Sequence, residues 1–90
     1  MSTNAIKPED VLADQENFAD FEGITVRKGS VAAFLKNIDM LDEERNSAEQ
    51  RAAALEQIQQ LAPAMVVLGL YKHAVFKNKQ VQEILEKAQP

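Results

Sequence analysis

The chain contains no cysteine. It can therefore form no disulfide and offer no thiolate to a metal or a nucleophilic mechanism. That composition suits a reducing compartment, and a cytoplasmic location is the expectation. Histidine occurs once, as His73. Its sequence neighbours Lys72, Ala74, Val75 and Lys77 supply no carboxylate for a shared cation. The three glycines, Gly23, Gly29 and Gly69, stand far apart and match neither G-x-G-x-x-G nor G-x-x-x-x-G-K-[ST]. The longest nearly apolar run, residues 61–71, is eleven residues long, against about 20 for a membrane-crossing helix. Residues 1–20 carry five acids and no apolar stretch of signal-peptide length, so no targeting segment and no membrane role are expected.

What is present describes one small domain over residues 1–90, with residues 1–6 read as a frayed tail. A chain of this size buries roughly 60–70% of the surface its unfolded form exposes. Its core is modest, and association with a partner would help it. The net charge of −4 is unevenly placed. Residues 1–22 hold six acids against Lys7, while the remainder holds nine basic and eight acidic side chains. That balance makes general nucleic-acid binding an unfavoured reading, because phosphate neutralisation needs cations gathered on one face.

The pattern along the chain predicts a mainly α fold, with a short N-terminal β-hairpin packed on a small bundle of about four helices. Pro8, Glu9 and Asp10 resemble a helix first turn, covering Val11 and Leu12. Residues 18–28 read as a hairpin closed by a Glu22-Gly23 turn, with Phe21 facing Ile24, Asp20 facing Thr25 and Ala19 facing Val26. Gly29-Ser30 then reads as a break with Ser30 as N-cap. Val31, Phe34, Leu35, Ile38 and Leu41 follow as one apolar stripe. After a charged turn at residues 42–46, Ser47 with Gln50 signals a capping box. The second stripe is Ala52, Leu55, Ile58 and Ala62, with Arg51 among the solvated positions. Pro63 predicts a break near Ala62 and a new short helix beyond it. Gly69 reads as a C-terminal cap. Asn78 reads as the N-cap of a last helix lined by Val81, Ile84, Leu85 and Ala88.

The stretch Val26-Arg27-Lys28-Gly29-Ser30-Val31-Ala32-Ala33-Phe34-Leu35-Lys36-Asn37-Ile38 resembles a small family of bacterial proteins of unknown function. These share a hairpin, a glycine followed by serine or threonine, and a Val-Ala-Ala helix. The later Leu61-Ala62-Pro63-Ala64-Met65-Val66-Val67-Leu68-Gly69-Leu70-Tyr71 is similar to their second apolar block. The resemblance covers about half of the chain. It implies a bacterial or phage origin and the hairpin-then-helices order, and it carries no activity.

No residue set points to catalysis. Ser30 and Ser47 are explained by capping, and no base stands next to them in sequence. The acid pairs sit at helix ends or on polar faces, where carboxylates are simply solvated. No catalytic residue, no metal ligand and no cofactor is expected. Lys72, His73, Lys77 and Lys79 form the one basic cluster, a candidate anion or partner patch. The density of Met65, Val66, Leu68, Leu70, Tyr71 and Phe76 marks either the centre of a protomer core or a self-association surface. The expected function is a non-catalytic protein-interaction or regulatory module acting as a homodimer. One alternative is an acidic, phage-type inhibitor of a nucleic-acid-handling protein, with Asp10, Asp14, Glu16 and Asp20 imitating phosphates. Another is a weak nucleic-acid binder using Lys72, Lys77 and Lys79.

Overall fold

The structure is a computed structural model, and it describes residues 6–12 and 15–90. Residues 1–5 of the frayed tail expected at residues 1–6, and Asp14 of the acidic reading, lie outside the described residues. The element order is α1 (Pro8–Val11), β1 (Phe18–Phe21), β2 (Ile24–Arg27), α2 (Ser30–Asp42), α3 (Ala48–Val67), α4 (Leu70–His73) and α5 (Lys79–Lys87). The fold is mainly α with a two-stranded N-terminal hairpin.

The hairpin forms in the predicted register, with Phe21 opposite Ile24, Asp20 opposite Thr25 and Ala19 opposite Val26. Both turn residues are left-handed, Glu22 at φ 51° and Gly23 at φ 84°. This is the requirement of a type I′ turn, whose twist matches the flanking strands. Glycine meets it freely, whereas Glu22 places a Cβ in a region that costs an L-residue about 1–2 kcal/mol. Asparagine tolerates it better. Glu22→Asn should therefore raise stability by about 0.5–1 kcal/mol, or roughly 3–6 °C in thermal unfolding of a domain this size. Circular dichroism melts of the two proteins check it.

Helix α2 starts differently from the expectation. The N-cap is Gly29, at φ 87°, and Ser30 is already the first helical residue. The Ser30 hydroxyl donates to the Arg27 carbonyl at 2.7 Å instead of accepting from the helix, so it ties the helix start to the end of β2. The α2 stripe is also narrower than predicted. Phe34 and Leu41 are buried and Ile38 is half-buried, but Val31 and Leu35 remain 40% and 48% exposed. One flank of the apolar face meets α3, and Val31 and Leu35 on the other flank are left largely uncovered by the described residues.

The capping box at Ser47 and Gln50 closes as expected, with Gln50 N–H donating to Ser47 Oγ at 3.1 Å and Ser47 N–H donating to Gln50 Oε1 at 2.9 Å. Helix α3 then runs for 20 residues straight through Pro63, so the predicted break is absent. Its inner row is Ala54, Ile58, Ala62 and Met65, all buried, while Ala52 is exposed. Pro63 lies on the opposite side of the helix from that row and is exposed. The bond it cannot donate would have gone to the Gln59 carbonyl, also at an exposed position. The buried bonds stay intact, and packing on both sides of the proline outweighs its local preference. Arg51, expected to be solvated, is half-buried and donates through Nε to the Leu41 carbonyl at 3.0 Å. Asn46 does the same for Met40 at 3.0 Å. Two of the orphan carbonyls at the α2 terminus are thus satisfied by side chains.

Gly69, at φ 92°, ends α3, its N–H donating to the Val66 carbonyl at 2.9 Å. A single further turn forms α4. Asn78 caps α5 by accepting from Val81 N–H at 3.1 Å. Four helices follow the hairpin as expected, although the one after α3 begins at Leu70 and not at Pro63.

The core is Phe34 from α2, Ile58 and Met65 from α3, and Val81 and Leu85 from α5, all fully buried. Phe76 lays its ring edge-on against Phe34, centroids 5.6 Å apart. Val26 of the hairpin seals the end of this cluster, and β2 packs on α3.

Candidate functional site

The predicted apolar block divides once the chain is folded. Met65, expected as an interface residue, is instead sealed in the protomer core. A side chain that packs on Phe34 and Ile58 within one core has no surface to offer. Val66, Leu68, Leu70, Tyr71 and Phe76 are half-buried and lean on that same core. They form its wall more than a free patch. Two of the six, Met65 and Val66, belong to α3 itself, because that helix runs on past Pro63 to Val67.

The basic cluster divides too. Lys72 and His73 end α4, and the His73 ring lies beside Gly69. Lys77 and Lys79 line a shallow cleft of about 350 Å³ on the other side of the loop, and Glu83 and Glu86 line it with them. The cleft carries both signs. The amide of Asn78 donates to the Asp42 carboxylate at 2.6 Å, bridging the end of α2 to the start of α5. The α5 N-terminus, which could have met an anion, is therefore already capped and has an acid beside it. All four basic side chains are exposed, but they do not present one cationic face. Two of the N-terminal acids, Asp10 and Asp20, are likewise drawn into local structure. Asp10 accepts from Lys7 N–H at 3.0 Å and Asp20 accepts from the Thr25 hydroxyl at 2.7 Å.

Among the described residues, no three His, Cys, Asp or Glu side chains gather as a metal site, and no helix is long and apolar enough to cross a membrane. One charge pair stands out. Arg45 grips Glu43 with two bonds of 3.1 Å, and its own N–H adds a third. These bonds hold the Glu43 carboxyl below its ordinary value and raise the Arg45 guanidinium above its own. Because folding favours the charged carboxylate, the pair contributes above the ordinary glutamate range and loses that contribution as pH falls through the lowered value. Arg45→Ala should return the Glu43 titration toward the usual range, read by carboxyl NMR. Both groups lie in solvent at the turn after α2, so the pair fastens that turn and has no cleft in which to act on a substrate.

The sequence did not point to one apolar groove. A groove of about 390 Å³ lies between α1, the inner face of the hairpin and the first turn of α2. Val11, Leu12, Phe21, Val26, Val31 and Leu68 give it apolar walls, and Arg27 and Lys28 stand at its edge. Of the candidate interface and basic-patch residues, only Leu68 lines it. The Ser30 hydroxyl in its wall is committed to Arg27. Val11, 48% exposed, and Val31 form its margins, and Leu35 continues the apolar surface along α2. The signal that could have found it was present: Val11 and Leu12 in a one-turn helix had nothing assigned to cover them.

No family model, curated protein or solved structure matches this chain. What the surface can do follows from its own residues. An open apolar groove with a few charged side chains at its edge can bury a complementary surface. It lacks the convergent polar groups that would orient a small substrate.

Proposed function

We propose that this chain is a non-catalytic interaction module of the cytoplasm that acts as a homodimer, joined through the apolar groove and the adjoining Val31–Leu35 edge of α2. The observation that carries the reading is the exposure of Val11, Val31 and Leu35 around that groove in a domain whose core is small. Charge supports a self-complementary contact. Glu9 and Asp10 are exposed on α1 at one side of the groove, and Arg27 and Lys28 stand at its edge. A two-fold axis brings each patch to its opposite in the partner, and such isologous pairs are the commonest assembly of small proteins.

Light scattering on a sizing column tests the proposal. The expected mass is twice the 10.0 kDa of the chain. Val31→Glu, which puts an acid in the first turn of α2 where helices accept it, should give the single-chain mass with helical content unchanged. A 10.0 kDa particle at every concentration of the unaltered protein would refute the proposal.

A further inference from the structure

A two-stranded sheet has two outer edges, and here they differ. Lys28 N–H donates to the Asn17 carbonyl at 2.6 Å. In the observed register, that bond makes Ala19 with Val26 and Phe21 with Ile24 hydrogen-bonded pairs, and Phe18 with Arg27 and Asp20 with Thr25 the alternate ones. The main-chain groups of Arg27 and Thr25 point off the edge of β2. There the Arg27 carbonyl accepts from Ser30, and the strand itself packs on α3. The main-chain N–H and C=O of Phe18 and Asp20 point off the edge of β1. They bond to no other described residue. Phe18 is 58% exposed, and β1 packs closely on no described element except β2.

Resting on the homodimer reading above, we infer that β1 pairs antiparallel with β1 of a second copy, joining two hairpins into a four-stranded sheet. Only Phe18 and Asp20 turn main-chain groups outward within β1, so a two-fold pairing has three registers. Phe18 opposite itself sets Glu16 against Asp20 of the second copy. Asp20 opposite itself sets two carboxylates face to face, which destabilises a strand pair. Phe18 opposite Asp20 avoids both clashes. It makes four main-chain hydrogen bonds and puts Ala19 opposite Ala19 on the axis, where the small side chains permit the close approach of a non-hydrogen-bonded pair. Like charges, Glu16 and Glu22, then meet only beyond the strand ends. Ala19 and Phe21 also line the groove, so this pairing sets the two grooves side by side. It also removes the exposed edge of a hairpin that is marginal alone.

The cysteine-free chain makes the test direct. Ala19→Cys places one thiol per protomer on the axis, within disulfide reach of its mate. Mild oxidation should give a covalent dimer, released by reductant, while Thr25→Cys on the other strand should stay largely uncrosslinked. Asp20→Pro removes an outward N–H that the hairpin ladder does not use. It should lose the dimer mass while keeping the helical spectrum. If the unaltered protein is dimeric but Ala19→Cys does not crosslink and Asp20→Pro remains dimeric, the edge pairing is wrong and the dimer stands. If the unaltered protein is a single chain throughout, both fall. Should Asp20→Pro not fold, the contrast between Ala19→Cys and Thr25→Cys decides alone.

Discussion

Phe34→Ala is expected to remove about 3–5 kcal/mol of stability, the range for deleting a fully buried phenylalanine. Phe34 has no exposed surface and stands where α2, α3 and α5 converge. Truncation empties a volume that Ile58, Met65 and Leu85 cannot refill without moving their helices. It also removes the edge-on contact with Phe76, a contact type worth about 0.5–1.5 kcal/mol beyond its area. A domain of this size has only about 5–13 kcal/mol in total. The substitution therefore lowers the melting temperature by roughly 15–30 °C or leaves the chain unfolded. Phe34→Leu, with a smaller void, keeps the site measurable. Urea unfolding of both variants reads the loss. A cost under about 1 kcal/mol for Phe34→Ala would mean that the three helices do not close on this ring.

Pro63→Ala is expected to act in the opposite direction. Proline in a helix interior costs about 3 kcal/mol relative to alanine. Here the helix continues through it, from Ala48 to Val67. Alanine restores a donor for the Gln59 carbonyl and removes the ring from the preceding turn. Part of the gain is offset, because proline also stiffens the unfolded chain by about 0.4–1 kcal/mol. The ring further lines a small cleft with Ile24, Val67 and Ala88, and that contact is lost. The net expectation is a gain of about 1–3 kcal/mol, measured by thermal and urea unfolding. If α3 were two helices meeting at Pro63, the variant would gain nothing, since the proline would already sit in its preferred first turn.

The contrast at Pro63 shows what limited the sequence reading. Hairpin register, the Ser47–Gln50 box, the Asn78 cap and the Gly69 terminus were all legible, because each is decided within about six residues by turn conformation, side-chain alternation or a capping bond. Proline is also a local signal, but its effect depends on which side of the helix it occupies. Buried neighbours before and after it hold the helix together while the lost bond falls at exposed positions. Ser30 lies one residue inside the helix for a related reason: Gly29 takes the non-helical N-cap conformation itself.

The site was less legible than the fold. Periodicity marked Val31, Leu35, Phe34, Ile38 and Leu41 as one apolar face, and that much the order of residues determined alone. Which part of the face is covered depends on where α3 lies, and only the tertiary structure decided that α3 covers the Phe34–Leu41 flank and leaves Val31 and Leu35 open. Likewise, the chain order placed Lys72, His73, Lys77 and Lys79 close together, while the turn after α4 separated them and set Glu83 and Glu86 beside two of them. Composition and spacing were enough to specify a small helical domain with an N-terminal hairpin and no disulfide. The groove brings together residues from 8 to 68, and contact between segments so distant arises from packing, which no local pattern in the chain encodes.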